Sequence, residues 1–172
     1  MGTERTAVHG QEIERKFLVL RLPADLDRWP RASIRQGYLS AGGEGMEVRL
    51  RQQGWRWFLT AKSRGGLVRQ ERQVELTQGQ FDELWPLTEE RRVEKTRYRV
   101  DWAGHTVELD VYAGRLQGLL VAEVEFASEA DSRSFAAPDW LGEEVSDAPR
   151  YRNESLALHG APGPPSATPS SP

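Results

Sequence analysis

Most of the chain alternates hydrophobic and polar residues with a period of two, the pattern of β-strands whose two sides face different surroundings. Between residues 106 and 112, for example, Val107, Leu109 and Val111 alternate with Glu108 and Asp110. The same alternation predicts eight strands, at residues 12–20, 34–40, 46–51, 55–62, 67–76, 91–101, 106–112 and 121–126.

Glycine-containing turns and short helical segments separate these strands. Gly54, Gly65 and Gly104 fall in gaps that are short enough for hairpins between antiparallel neighbours. Short helices are predicted near residue 23 and at residues 78–85, 128–135 and 152–158. The pattern therefore predicts a mainly β (α+β) fold, an eight-stranded antiparallel β-barrel, closed or nearly closed, with short helices packed outside.

The chain of 172 residues is long enough for one domain. Residues 11–159 are the expected folded unit. Residues 1–10 are polar and are predicted to be a flexible arm. Residues 160–172, which are rich in Pro, Ser and Gly, are predicted to be a disordered tail because they cannot bury enough apolar surface to order themselves.

Composition narrows the function classes. The absence of cysteine excludes disulfides, thiolate zinc sites and a cysteine nucleophile, and it is typical of a cytoplasmic protein. A net charge of −3 weighs against a nucleic-acid partner, which usually selects a basic domain. The longest apolar run, residues 119–122, is far too short to cross a membrane. We therefore expect a cytoplasmic protein with no membrane and no nucleic-acid partner.

Charged residues recur on one side of at least five predicted strands. The groups in phase are Glu12, Glu14 and Lys16; Arg49 and Arg51; Lys95, Arg97 and Arg99; Glu108 and Asp110; Glu123 and Glu125. On any single strand, a sheet with one wet face and cross-strand ion pairs would give the same pattern. Repetition over many strands, with both signs of charge, favours a sheet that curls with these side chains inward around a water-filled tunnel.

The chemistry of such a tunnel is restricted by its residue types. Clustered carboxylates without His or Cys are hard oxygen ligands that suit Mg²⁺ or Mn²⁺. Clustered Lys and Arg side chains suit phosphate oxygens. Together they resemble the apparatus of phosphoryl transfer, with a linear polyphosphate as a matching substrate and a metal bridging it to the carboxylates.

A series of motifs, in order along residues 11–158, resembles the CYTH domains, also called triphosphate tunnel metalloenzymes. The motifs are Glu12-Ile-Glu14-Arg-Lys16, Arg35-Gln-Gly-Tyr38-Leu, Glu47-Val-Arg49-Leu-Arg51, Thr60-Ala-Lys62, Glu94-Lys95-Thr-Arg97-Tyr, Glu108-Leu-Asp110, Glu123-Val-Glu125-Phe and Ser146-Asp-Ala-Pro-Arg-Tyr151-Arg-Asn153. The chain is most similar to stand-alone bacterial members that hydrolyse inorganic triphosphate. The resemblance implies a metal-dependent triphosphatase that forms pyrophosphate and phosphate with Mg²⁺ or Mn²⁺ inside a charged tunnel.

The resemblance also implies roles for individual residues. The implied metal ligands are Glu12, Glu14, Glu71, Asp110, Glu123 and Glu125. The implied phosphate ligands are Lys16, Arg49, Arg51, Lys62, Lys95 and Arg97, with Tyr38 either contacting the substrate or lining the wall. The implied catalytic residues are Lys16, Lys95, Glu108 and Asp110, the last two resembling an acidic pair that assists a second metal or the attacking water. Gln73 stands where the family carries a glutamate, so any role of that carboxylate is in doubt here.

Several alternatives remain open at this point. An adenylate cyclase would use a ribose hydroxyl instead of water on the same scaffold, and a nucleoside or thiamine triphosphatase would differ only in substrate. A non-catalytic polyphosphate-binding module would use the basic residues alone. A homodimer formed through outward apolar strand surface is also left open.

Overall fold

The computed structural model describes residues 13–41, 45–63 and 70–163, which form one antiparallel sheet with short helices. The strands are β1 Ile13–Val19, β2 Arg31–Ser40, β3 Met46–Gln53, β4 Arg56–Ser63, β5 Glu71–Leu76, β6 Arg92–Trp102, β7 His105–Tyr112, β8 Leu120–Phe126 and β9 Leu141–Glu144. The α-helices are α1 Gln78–Leu84, α2 Glu129–Ser134 and α3 Asn153–His159. Single 3₁₀ turns occur at Leu26–Arg28, Trp85–Thr88, Gly114–Leu116 and Pro149–Tyr151.

The strand order in the sheet is β5-β4-β3-β2-β6-β7-β8-β1-β9. The sheet curls into a tunnel-like shape, but its ladder is not closed between β5 and β9 in the described part of the chain. The predicted antiparallel, mainly β fold is confirmed, and each of the eight predicted strands is present. The ninth, β9, was missed because its four residues, Leu-Gly-Glu-Glu, carry no alternating pattern. The predicted start of the fifth strand, the predicted N-terminal arm and Glu12 lie outside the described residues.

The two faces of the sheet differ as the alternation predicts. On the outer face, Phe17, Val107, Leu109 and Val124 form a buried core together with Phe135, which follows α2. The opposite face of the same strands, here called the inner face, carries the charged residues that the alternation placed in phase. Burial of the apolar side therefore fixes the register that presents the charges inward.

The region from Thr77 to Thr88 packs on the outer face of β2 to β4. α1 begins with a capping box between Thr77 and Gln80, and its Phe81 is fully buried. The following 3₁₀ turn places Thr88 against Gly37 of β2, where an added Cβ would lie 2.4 Å from the Thr88 Oγ1. Glycine is thus required at this point of the strand for close approach rather than for a special backbone angle.

The helix α3 differs from the expectation that every helix lies outside the sheet. Leu156 and Ala157 pack in a buried cluster with Tyr38, Val93 and Tyr112, which belong to the inner face. The helix therefore covers one end of the inner face. None of the helices within the described ranges is long and apolar enough to span a membrane.

Candidate active site

The inner face brings the predicted site residues of eight strands, β1 to β8, into one curled surface. Those described are Glu14, Lys16, Tyr38, Arg49, Arg51, Lys62, Glu71, Lys95, Arg97, Glu108, Asp110, Glu123 and Glu125. Contacts among them divide the surface into two regions of different charge balance. On β1 and β6, Lys16, Lys95 and Arg97 each lie 2.9 Å or less from a carboxylate, whereas the ion pairs of Arg49 on β3 and Lys62 on β4 with described residues are 3.2 Å or longer.

Arg97 is the centre of the paired region. Its Nε and one terminal nitrogen each lie 2.7 Å from the oxygens of Asp110, and the same terminal nitrogen lies 2.9 Å from Glu123. Its other terminal nitrogen donates to Glu108. Burial lowers the pKa of Arg97, but the hydrogen bond and charge of Asp110, aided by Glu123 and Glu108, more than offset this and raise it. Arg97 therefore holds three carboxylates together.

Lys95 and Asp110 form the most enclosed ion pair of the surface. The Nζ of Lys95 lies 2.5 Å from Asp110 Oδ2 and 3.3 Å from the side-chain oxygen of Asn153, the first residue of α3. Burial lowers the pKa of Lys95, while the charge of Asp110 partly restores it. Since both oxygens of Asp110 accept hydrogen bonds from Lys95 and Arg97, its position favours a counter-ion role.

Lys16 completes the paired region from β1. Its Nζ lies 2.9 Å from Glu123 and 3.8 Å from Glu14. Burial raises the pKa of Glu123, but the charges of Lys16, Lys95 and Arg97 outweigh it and lower this pKa to about 2. Glu123 is therefore a carboxylate that stays ionised in the folded protein.

An acidic group lies beyond this network at the end of the inner face away from α3. Glu14 and Glu125 are opposed in the β1–β8 ladder, and both line a cavity of about 590 Å³ with Glu108 and Glu123. Burial raises the pKa of Glu14, and the charges of Glu123 and Glu125 raise it further, partly offset by Lys16. A cation would relieve this repulsion, and carboxylate oxygens suit Mg²⁺ or Mn²⁺.

The metal site is incomplete within the described residues. No three acidic or histidine side chains of that part of the chain are arranged to hold a metal ion. Glu12, the remaining ligand on β1 that the resemblance implies, lies outside the described ranges. The carboxylates that are described fit a hard divalent cation in chemistry and in charge.

The basic region on β3 and β4 has looser partners. Arg49 lies 3.6 Å from Glu47 and 3.7 Å from Glu71, and its buried Nε has no hydrogen-bond acceptor in the described structure. Lys62 lies 3.2 Å from the other oxygen of Glu71. These distances leave donor capacity that a bound anion could use.

Arg51 has the least compensated charge of the region. Its Nε donates to Gln36 Oε1 at 2.9 Å, and no carboxylate of the described residues lies within ion-pair distance. Burial lowers the pKa of Arg51 to about 10, and the neighbouring charges of Arg49 and Arg97 contribute. A partly buried guanidinium in such surroundings creates a strong local attraction for anions.

Comparison with known proteins identifies the fold family. The family model of the CYTH domain matches residues 10–159. The chain belongs to the CYTH family. The predicted family membership is therefore confirmed.

Two curated relatives and a solved structure resemble this CYTH domain over most of its length. The chain is 51% identical to an inorganic triphosphatase of Nitrosomonas europaea, over 86% of this chain and 97% of that protein. It is 35% identical to an inorganic triphosphatase of Acetivibrio thermocellus, over 86% of this chain and 93% of that protein. A crystal structure of an inorganic triphosphatase matches with a TM-score of 0.74 and 47% identity, over 87% of this chain and 95% of that one.

Three residues on the inner face of this CYTH domain differ from the predicted set of site residues: Tyr38 in its role, and Gln36 and Asn153 because they were not predicted. Tyr38, predicted to contact substrate or line the wall, is only 1% exposed and packs with Val93 and Tyr112, so its position favours lining. Gln36 and Asn153 were absent from the predicted set although each contacts a predicted cation. The signal for Gln36 was its phase with Tyr38 on β2. Asn153 ends one of the family motifs, but its helix was expected outside the sheet, so no contact with the inner face was predicted for it.

Gln73, the departure from the family pattern, lies on β5 opposite Thr60. Its side-chain oxygen accepts a hydrogen bond from the Thr60 hydroxyl at 3.2 Å. The neutral amide is thus accommodated by a neutral partner on the neighbouring strand.

Proposed function

We propose that this CYTH protein is a divalent-metal-dependent phosphohydrolase that converts inorganic triphosphate and water into pyrophosphate and phosphate. The observation that carries the proposal is the partly buried charge of Arg51, which no carboxylate of the described residues neutralises, beside Arg49. A small, multiply charged anion would supply the missing negative charge. The activity named for both curated relatives, at 51% and 35% identity, supports this substrate.

The phosphate-binding roles follow the two regions of the surface. Arg49, Arg51 and Lys62 are proposed as direct phosphate ligands, because each has loose partners or none among the described carboxylates. Lys16, Lys95 and Arg97 are proposed to contribute positive potential to the same substrate from within their ion pairs. Arg97 in addition keeps the acidic residues in place, since three of them contact it.

The metal-binding role falls to the acidic end of the inner face. Glu12, Glu14, Glu123 and Glu125 are the proposed ligands of Mg²⁺ or Mn²⁺, with Glu71 as a further candidate from β5. When bound, a divalent cation would neutralise phosphate charge and polarise a phosphoryl oxygen. Asp110 is better placed as a counter-ion than as a ligand, because its carboxylate is fully buried against Lys95 and Arg97, whereas Glu123 lines the open cavity.

The chemical step is hydrolysis of a terminal phosphoanhydride bond. Water attacks the terminal phosphorus in line, a new P–O bond forms, and the bridging P–O bond breaks to release pyrophosphate. Glu108 lines the open cavity, so its carboxylate is proposed to orient the water and take its proton. Lys95 and Lys16 stabilise the developing charge on the phosphoryl oxygens, and most of the rate enhancement comes from positioning and electrostatics.

A substrate panel tests the proposal. Inorganic triphosphate, adenosine triphosphate, thiamine triphosphate and long-chain polyphosphate are each incubated with Mg²⁺, Mn²⁺ or chelator, and all products are quantified. We expect pyrophosphate and phosphate from triphosphate, with the highest kcat/KM and with no turnover in chelator. Cyclic AMP would indicate a cyclase, faster turnover of an organic triphosphate would indicate a nucleotide or thiamine enzyme, and metal-independent binding without product would indicate a binding module.

The protein is proposed to act in the cytoplasm without a nucleic-acid partner, in keeping with its net charge of −3. A homodimer is proposed through exposed apolar side chains such as Val74 of the edge strand β5. Light scattering coupled to size-exclusion chromatography distinguishes a dimer from a monomer directly.

A further inference from the structure

Gln36 is a buried polar residue at the centre of the inner face. It lies on β2, directly opposite Arg51 of β3, and is only 1% exposed. Burying a primary amide is unfavourable unless its oxygen and its NH₂ group both find partners. The contacts of the Gln36 amide must therefore compensate for the cost of burying it.

Both ends of the Gln36 amide are used. Its oxygen accepts from Arg51 Nε at 2.9 Å, and its nitrogen donates to the Tyr38 hydroxyl at 2.6 Å. Arg51 can only donate, so it fixes which end of the amide faces β3. Tyr38 is packed in the apolar cluster beneath α3, so it anchors the other end.

This contact uses one of the five N–H groups of the guanidinium. Within the described residues, no hydrogen bond from the two terminal nitrogens of Arg51 is formed. Together, those two nitrogens can bind an oxyanion in a bidentate manner. An acceptor at Nε thus orients the guanidinium and leaves its phosphate-binding edge available.

The acceptor is neutral, and this separates Arg51 from its neighbour Arg97. Arg97 is held by the carboxylates of Glu108, Asp110 and Glu123, which neutralise it. An amide can orient a guanidinium equally well without reducing its charge. The full positive charge of Arg51 then remains for a ligand.

We propose that Gln36 is a positioning residue that orients Arg51 toward a bound polyphosphate while leaving its charge uncompensated. The proposal rests on the proposed triphosphatase function, and it adds a specific determinant of substrate affinity. It predicts that the charge of the residue at position 36 matters as much as its hydrogen bond.

Two variants of Gln36 separate orientation from charge. Gln36→Glu keeps the shape and the acceptor but neutralises Arg51, so KM for triphosphate should rise about tenfold or more while kcat changes less. Gln36→Met removes the acceptor without adding charge, so KM should rise about three- to fivefold. Thermal unfolding followed by circular dichroism verifies that both variants are folded.

The outer face supplies a matched control. Arg35 donates from its Nε to the Gln52 oxygen at 2.5 Å, which is the same type of contact between the same two strands on the opposite side of the sheet. Gln52→Glu should leave KM and kcat at wild-type values. An equal rise in KM in Gln52→Glu and Gln36→Glu would overturn the proposal, because the effect would then be a general one of added charge.

A double-mutant cycle identifies Arg51 as the group through which Gln36 acts. In the Arg51→Ala background, Gln36→Met should cause no further rise in KM. A full additional rise in that background would overturn the proposal, as would a wild-type KM in folded Gln36→Glu. Failure of the proposed function is distinct, because the wild-type protein would then show no triphosphate turnover.

Discussion

Glu14 and Glu125 lie directly opposite each other in the ladder between β1 and β8, two carboxylates on the same side of adjacent strands. Like charges in this position oppose each other, and the pKa of Glu14 is raised by burial and by the charges of Glu123 and Glu125. A bound cation would make this arrangement of carboxylates more favourable.

The first prediction concerns Glu14→Gln. Because a raised pKa in the fold means that ionised Glu14 opposes folding, the metal-free variant should be at least as stable as wild type at pH 7. Turnover of triphosphate should fall about 100-fold, because a proposed metal ligand is lost. Urea unfolding in chelator and steady-state kinetics with Mg²⁺ or Mn²⁺ measure the two effects.

The control for this variant is Glu143→Gln. Glu143 is an exposed residue of β9, so its substitution should change neither stability nor turnover. Full activity in Glu14→Gln would remove Glu14 from the proposed metal ligands.

The second prediction concerns acid stability. The pKa of Glu123 is lowered from 4.5 to about 2, so its contribution is present above pH 4.5 and is lost as the pH falls toward 2. A shift of this size corresponds to about 3 kcal/mol. Glu123→Gln should lose most of this stability at pH 7 and show a flatter decline between pH 4.5 and 2, measured by urea unfolding across that range.

Glu75→Gln provides the comparison for this pH dependence. Glu75 pairs with Arg56 at the exposed edge strand, where solvent screens the interaction. Its stability curve should follow that of wild type closely. Parallel curves for wild type and Glu123→Gln would show that other groups cause the acid lability.

The third prediction contrasts Arg51 and Arg97, two partly buried arginines of the inner face. Arg51→Met removes an uncompensated charge, so it should raise stability by about 1 kcal/mol while raising KM for triphosphate at least tenfold. Arg97→Met leaves three carboxylates without their common partner, so it should cost about 3–5 kcal/mol. Chemical unfolding at pH 7 compares them, and equal destabilisation by both would contradict the division of the inner face into two regions.

The fourth prediction concerns the close approach of Gly37 and Thr88. Gly37→Ala should destabilise the protein by about 1–3 kcal/mol, because the new Cβ meets the buried Thr88 side chain. In a Thr88→Gly background, Gly37→Ala should lower the free energy of unfolding by much less. If Gly37→Ala destabilised that background by the same amount, the cause would be strain within β2 and not the contact with Thr88.

The sequence predicted correctly which face of the sheet a strand residue occupies, because hydrophobic and polar residues alternate along the strands. Val107 and Asp110, for example, were assigned to opposite faces, because a period of two decides the face of every residue in a strand. Alternation carries no information about short segments such as β9 or about which end of the sheet a helix covers. The position of α3 on the inner face therefore had to come from the structure.

The pairing of charges was equally beyond the sequence. Arg51 and Arg97 occur in similar motifs and were assigned the same role, yet one has a neutral partner and the other has three acidic ones. The partners of a side chain depend on its position along the strand, on the register with the neighbouring strands, and on strands that are distant in sequence. For the same reason, the sequence does not show that Gln36 contacts Arg51, which is the contact that gives Gln36 its proposed role.

The position of α3 bears on how an oligophosphate would be handled. Leu156 and Ala157 fill the interior at one extremity of the curled sheet, beneath Tyr38 and Val93, whereas the acidic extremity is open. In the described part of the chain, a linear anion could not emerge past Leu156 and Ala157 at that extremity. Such a blind channel would favour removal of terminal groups from short chains and would disfavour cutting within long ones.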